Sequence, residues 1–146
     1  MRRIVFLVVV PLLVLSGCGS SEGDDPEAAA LSTVEAAYEA FNSGDVDTWV
    51  EIRDRGSFYA TEEDRAEVAE YMAEQVTPEM EGGARYEGIQ CESMGDGEWP
   101  VADEGLVEGY YFTCDTTYVD SAGDEYPEAF EWVVADGEVI AVRSNG

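Results

Sequence analysis

The sequence predicts an α+β domain: helices first, then an antiparallel sheet. Three observations carry that expectation. Apolar residues recur at helical spacing from Leu31 to Val76. The period then shortens to two after Gly82-Gly83. Near the end, Asp136-Gly137 sits between apolar runs as a two-residue hairpin signal. Helices grouped before a strand meander pack on one face of an antiparallel sheet. The stretch from residue 26 to 146 is about 120 residues long, enough for one domain with one core.

Asp25-Pro26 opens the first helix, with Asp as N-cap and Pro at the first helical position. Leu31, Val34, Tyr38 and Phe41 form one apolar stripe that Ala37 widens, and Gly44 supplies a left-handed stop. Asp45 caps a second, short helix that carries Val46, Trp49 and Val50 and ends at Gly56. Thr61 and Asp64 have capping-box spacing and open a third helix with Val68, Ala69, Met72 and Val76. Thr77-Pro78 is expected to end it.

Residues 85–93 alternate, with Ile89 and Cys91 expected on one face and Tyr86 and Gln90 on the other. Gly95-Asp96-Gly97 reads as a turn and residues 98–105 as an irregular acidic loop. Residues 106–119 read as a long strand, with Tyr110, Phe112, Cys114 and Tyr118 on one face and Val107, Tyr111 and Thr113 on the other. After a turn at Ser121–Asp124, Tyr126, Phe130, Trp132 and Val134 form another same-face row. Val139 to Arg143 returns as the last strand.

Ahead of this domain, Arg2 and Arg3 precede a twelve-residue apolar run, Ile4 to Leu15, and then Ser16-Gly17-Cys18. The run contains Pro11 and falls short of the roughly 20 apolar residues of a spanning helix. A positive segment, a short apolar segment and small residues are the marks of an export signal. Ending in Cys18, the stretch resembles the lipobox of bacterial lipoproteins. The resemblance implies a signal peptide over residues 1–17, cleavage before Cys18 and acylation of Cys18, with palmitate among the chains. The product is expected at the cell membrane, lipid-anchored on its extracytoplasmic face, with residues 18–25 as lipidated cysteine and tether. Seven tether residues after Cys18 reach at most about 25 Å, which holds the domain near the bilayer.

The charge narrows the partners. Seven arginines stand against 33 acids, and the chain has neither lysine nor histidine. Loss of Arg2 and Arg3 leaves five arginines and a net charge of −28. Nucleic acid, whose phosphates need Lys and Arg, is not an expected partner. Nor is an electrostatic membrane patch. A cationic ligand is permitted, and the acidic surface also keeps the chain soluble. Without histidine, no Ser-His-Asp or Cys-His centre can be built, and without lysine no Schiff base.

Cys91 and Cys114 fall in neighbouring strands of an exported domain, which predicts a disulfide bond between them. Their spacing is not that of a redox C-x-x-C pair. The acid clusters Asp45/Asp47, Glu62/Glu63/Asp64, Asp103/Glu104 and Asp124/Glu125 match no calcium loop, so no metal is expected. Trp49, Tyr59, Tyr71, Phe112, Phe130 and Trp132 are candidate lining for a pocket between helices and sheet.

Two stretches carry a family resemblance. Val34-Glu-Ala-Ala-Tyr-Glu-Ala-Phe-Asn-Ser-Gly-Asp-Val-Asp-Thr-Trp49 looks like the opening of NTF2-like, ketosteroid-isomerase-like domains. Phe130-Glu-Trp-Val-Val-Ala-Asp-Gly-Glu-Val139 is similar to their closing hairpin. The resemblance implies a curved sheet wrapped around helices as a cone with an apolar pocket. Members of that family include steroid isomerases and polyketide cyclases as well as binding and accessory domains. The isomerases use a carboxylate base with tyrosine and a protonated acid as donors. No numbered position here matches those roles, so no catalytic residue is assigned. The dehydratase-like members use a histidine, which this chain lacks. The expected function is a lipid-anchored binding or accessory module without cofactor or catalysis. Its partner would be a small apolar or cationic ligand, or an envelope protein. The alternatives are a small isomerase or cyclase with a carboxylate base, and a protein-docking structural domain.

Overall fold

A computed structural model describes residues 25–55, 66–67, 70–101 and 105–145. Cys18, Tyr59 and the expected third-helix start at Thr61 to Asp64 lie outside these residues. The elements run α1 (Pro26–Ser43), α2 (Val46–Arg55), a π-helical turn (Met72–Val76), α3 (Thr77–Glu81), β1 (Arg85–Val101), β2 (Gly105–Val119), β3 (Glu125–Ala135) and β4 (Glu138–Ser144). The strands form one antiparallel sheet in the order β1-β2-β3-β4, and the helices pack on it. The fold is α+β.

The local chemistry of α1 is as the sequence dictates. The Asp25 carboxylate accepts from the Glu27 N–H at 3.1 Å. Gly44 takes φ 75° and closes the C-terminus on the carbonyls of Ala40 and Phe41. Between these caps, Ala30, Val34, Ala37, Tyr38 and Phe41 are buried against Phe112, Phe130, Trp132 and Val134 of the sheet. Each fully buried large side chain contributes about 1.5–3 kcal/mol. Asp45 caps α2 by accepting from the Thr48 N–H at 3.2 Å.

Three expectations are corrected. Thr77-Pro78 does not end the third helix. The chain widens into the π turn and continues as α3, with Pro78 in its first turn, where a missing N–H leaves no bond unmade. Thr77 stays helical at φ −57°, ψ −48°, against the usual preference before proline. Second, Gly95-Asp96-Gly97 is not a turn, and 98–101 is not loop. β1 runs through both and pairs with β2 as far as Val101. An irregularity between Ser93 and Gly95 absorbs the glycine, at φ 94°, and leaves Met94 as the extra residue.

Third, Tyr86 and Cys91 share a face instead of opposing each other. A bulge between Glu87 and Gln90 inserts one residue, with Gly88 at φ 63°. Tyr86 therefore pairs with Tyr118, and Cys91 with Cys114, all on the helix-facing side. Thr116 Oγ1 donates to the Glu87 carbonyl at 3.0 Å and fixes the bulge. Cys91 and Cys114 are joined by a disulfide across directly opposed positions.

The β2–β3 turn is held by Asp120, whose Oδ1 accepts from Ala122 and Asp124 N–H groups at 2.9 and 2.8 Å. Asp136 and Gly137 adopt φ 51° and 78°, the left-handed pair that a tight two-residue hairpin demands. On the outer face, Trp99 packs on Tyr111 with ring centroids 4.8 Å apart. Glu131 stands beside them, paired with Arg143 and only 15% exposed at its side chain, so it faces away from the helices without being free in solvent.

Candidate functional site

The site forms where the C-terminal half of α1, α2 and the π turn meet the ends of β1 and β3. Tyr86 is placed first. Asn42, at the end of α1, donates from Nδ2 to the Tyr86 carbonyl at 2.9 Å and accepts from the Tyr86 N–H at 2.7 Å. This reciprocal pair ties helix to strand and sets the Tyr86 ring against Phe41, with centroids 4.6 Å apart. On α2, Trp49 and Arg53 are four residues apart and so share a face. The Arg53 guanidinium carbon lies 6.0 Å from the centre of the Trp49 ring. The π turn brings Met72 and Val76, and Tyr71 precedes them at the rim, more than half exposed.

These groups enclose a cavity of about 150 Å³ lined by Trp49, Arg53, Tyr71, Tyr86, Glu128 and Phe130 among others. A second space of about 230 Å³ adds Glu79 and Tyr118. The two share Phe41, Tyr71, Val76, Tyr86 and Glu128, so they are parts of one recess.

Its electrostatics follow from burial. Glu128 is half-buried, and loss of solvent raises its carboxyl above the ordinary value; the Arg53 charge and a hydrogen bond from Tyr86 pull it partly back. Burial, then the Glu128 charge, pushes the Tyr86 hydroxyl well above the ordinary phenol range. Burial pushes the Arg53 guanidinium down, opposed by Tyr86, Tyr71 and Glu128. Burial also lifts Tyr118 to about 12, with Glu79, Asp120 and Glu128 adding to it. The indole N–H of Trp49 is buried and meets no acceptor among the described residues. An unmade bond of this kind costs about 1–3 kcal/mol.

Of the aromatic residues singled out in the sequence, Trp49, Tyr71 and Phe130 line this recess. Phe112 and Trp132 are fully covered beneath α1 and belong to the packed core. Glu128 and Arg53 are not among those candidates, and simple strand alternation puts Tyr86 on the other face. Glu128 carries a readable signal. It occupies the two-residue step between Tyr126 and Phe130, in the same inward row.

A larger cavity, about 400 Å³, lies at the start of α1 between Ala30, Tyr110 and Val134. Its acids, Asp96, Glu108 and Asp136, are all exposed, and none is buried among apolar walls. Among the described residues no cluster of three His, Cys, Asp or Glu side chains could hold a metal ion. None of the described helices is long and apolar enough to cross a membrane. No protein-family model matches the chain, and no curated protein matches it.

Proposed function

We propose that this chain is a lipid-anchored, extracytoplasmic NTF2-like binding module that holds a small organic ligand in the recess around Glu128. The observation that carries the reading is the pairing of a buried donor with a half-buried acceptor across aromatic walls. Trp49 offers an N–H with no acceptor among the described residues, and Glu128 offers a carboxylate. Ligand sites are typically apolar recesses with a few convergent polar groups. The two-segment resemblance and the Cys18 lipobox supply the fold family and the anchor in this reading.

A second reading is favoured by one observation. Glu128 has a raised pKa and Tyr86 stands beside it, the arrangement an isomerase or cyclase with a carboxylate base would need. Binding is the better account. The Tyr86 hydroxyl is engaged with Glu128 itself, and Arg53 stabilises the carboxylate, so both lower the basicity that a proton abstraction requires.

Chemical-shift mapping with a panel of small ketones, alcohols and amines tests the binding reading. Saturable shifts at Trp49, Tyr71, Tyr86 and Glu128, without turnover of the ketones, are expected. A ketone isomerised at a rate that vanishes in Glu128→Gln favours the enzyme instead. The anchor is tested by Cys18→Ala, which is expected to leave an unprocessed or released protein. A variant that stays membrane-bound at its mature mass defeats that part.

A further inference from the structure

Within the binding reading above, on which this inference rests, we infer that the ligand is a small organic cation seated among Phe41, Tyr86 and Tyr118 and between the carboxylates Glu79 and Glu128. The three rings pack on one another and present one aromatic wall to the space. Phe41 and Tyr86 lie 4.6 Å apart, Tyr86 and Tyr118 5.4 Å, and Phe41 and Tyr118 6.2 Å, each between centroids. Tyr71 adds a fourth ring at the rim. The space they border is about 230 Å³, the scale of a ligand with a handful of heavy atoms. Aromatic faces carry negative potential and attract ammonium groups, most strongly where water is excluded.

The charges agree with the rings. Glu79 and Glu128 both line this part of the recess, and among the described residues no arginine does. Arg53 borders the neighbouring part, on the Trp49 side, and lowers the Glu128 carboxyl without cancelling the effect of burial. Burial pushes the Tyr118 hydroxyl up, and the charges of Glu79 and then Asp120 add to it. Glu79 is held in place, its Oε2 accepting from the Ser121 N–H at 2.8 Å. An anion would face these acids with Arg53 as the one cation behind them among the described residues. A neutral apolar ligand would bring no positive charge to Glu79 or Glu128. A cation answers both the rings and the acids, and an oxygen on the same molecule could meet the Trp49 N–H.

The test uses the full chain purified in detergent, with choline chloride as probe and 3,3-dimethylbutan-1-ol as its neutral isostere, read by chemical-shift titration. Choline is expected to saturate at the Tyr86 and Tyr118 signals and to bind about tenfold more tightly than the isostere, the scale of a desolvated cation–π contact. Glu79→Gln and Glu128→Gln should each weaken choline several-fold more than they weaken the isostere; glutamine keeps the volume, and at Glu79 it keeps an acceptor for Ser121. Equal binding of choline and the isostere overturns the cation and leaves the binding module standing. Choline no tighter than the isostere while a neutral panel compound saturates the recess has the same meaning. No saturation by choline, the isostere or any panel compound overturns both.

Discussion

The indole Nε1 of Trp132 donates to the Tyr38 hydroxyl at 3.2 Å, inside the core and out of reach of water. The rings also meet edge to face, with centroids 5.3 Å apart. One contact therefore joins the middle of α1 to the middle of β3 and satisfies the indole donor. Tyr38→Phe keeps the ring and strands that donor. The expected loss is about 1–3 kcal/mol, read by urea unfolding. A loss under about 0.5 kcal/mol would mean that the contact is packing alone.

The disulfide gives a second expectation. Cys91 and Cys114 close a loop between β1 and β2, 23 residues apart. The intact mass should be two hydrogens short of the all-thiol chain. Cys91→Ser should lower stability by about 2–4 kcal/mol, mainly by freeing the unfolded chain. Titration of two thiols in the purified native protein would refute the bond.

Glu128 supplies a pH dependence. Burial raises its folded-state pKa above the ordinary 4.5. The folded chain therefore holds this proton to higher pH than the unfolded chain. The group costs nothing while both states are protonated, and it destabilises increasingly as pH rises through the unfolded and then the folded value. Arg53, Tyr86 and Glu79 face the same recess and are unchanged in Glu128→Gln. The difference in stability, variant minus wild type, should grow in favour of the variant as pH rises past the ordinary 4.5 and level off once pH exceeds the raised folded-state value. Urea titrations across that range check it, and a difference independent of pH would remove the buried-carboxylate account.

Salt is the fourth lever. With 33 acids against seven arginines, the folded surface repels itself. Raising sodium chloride to 1 M shortens the screening length to about 3 Å, so the melting temperature should rise. A flat or falling melting curve would show that repulsion does not limit stability.

Much of the frame was legible in the chain because its signals are local. Asp25, Gly44 and Asp45 act within a few residues of themselves, and Asp136-Gly137 dictates its own hairpin. The row Tyr110, Phe112, Cys114, Tyr118 needs only a period of two. Tyr86 shows where local reading stops. An alternation counted from Arg85 places it opposite Cys91, and only the bulge at Gly88, fixed by Thr116 of the next strand, turns it inward. Gly95-Asp96-Gly97 reads as a turn in isolation, yet pairing with β2 overrides that preference. Arg53 is one of several charges on α2, and nothing in its neighbours in sequence marks it as the one brought beside Glu128. That meeting belongs to the tertiary fold.

The bulges of β1 have a further consequence. β1 is an outer strand of the sheet and 17 residues long. Straight, it would present about 55 Å of backbone, with half its N–H and C=O groups turned outward as a template for another chain. Two irregularities, at Gly88 and Gly95, break that row into short, twisted pieces. Glu87, Glu92, Asp96 and Glu98 stand exposed along it. A second copy laid alongside would find no continuous register and would set acid against acid. The same insertion that turns Tyr86 toward Glu128 thus makes this edge of the sheet a poor template for a second copy.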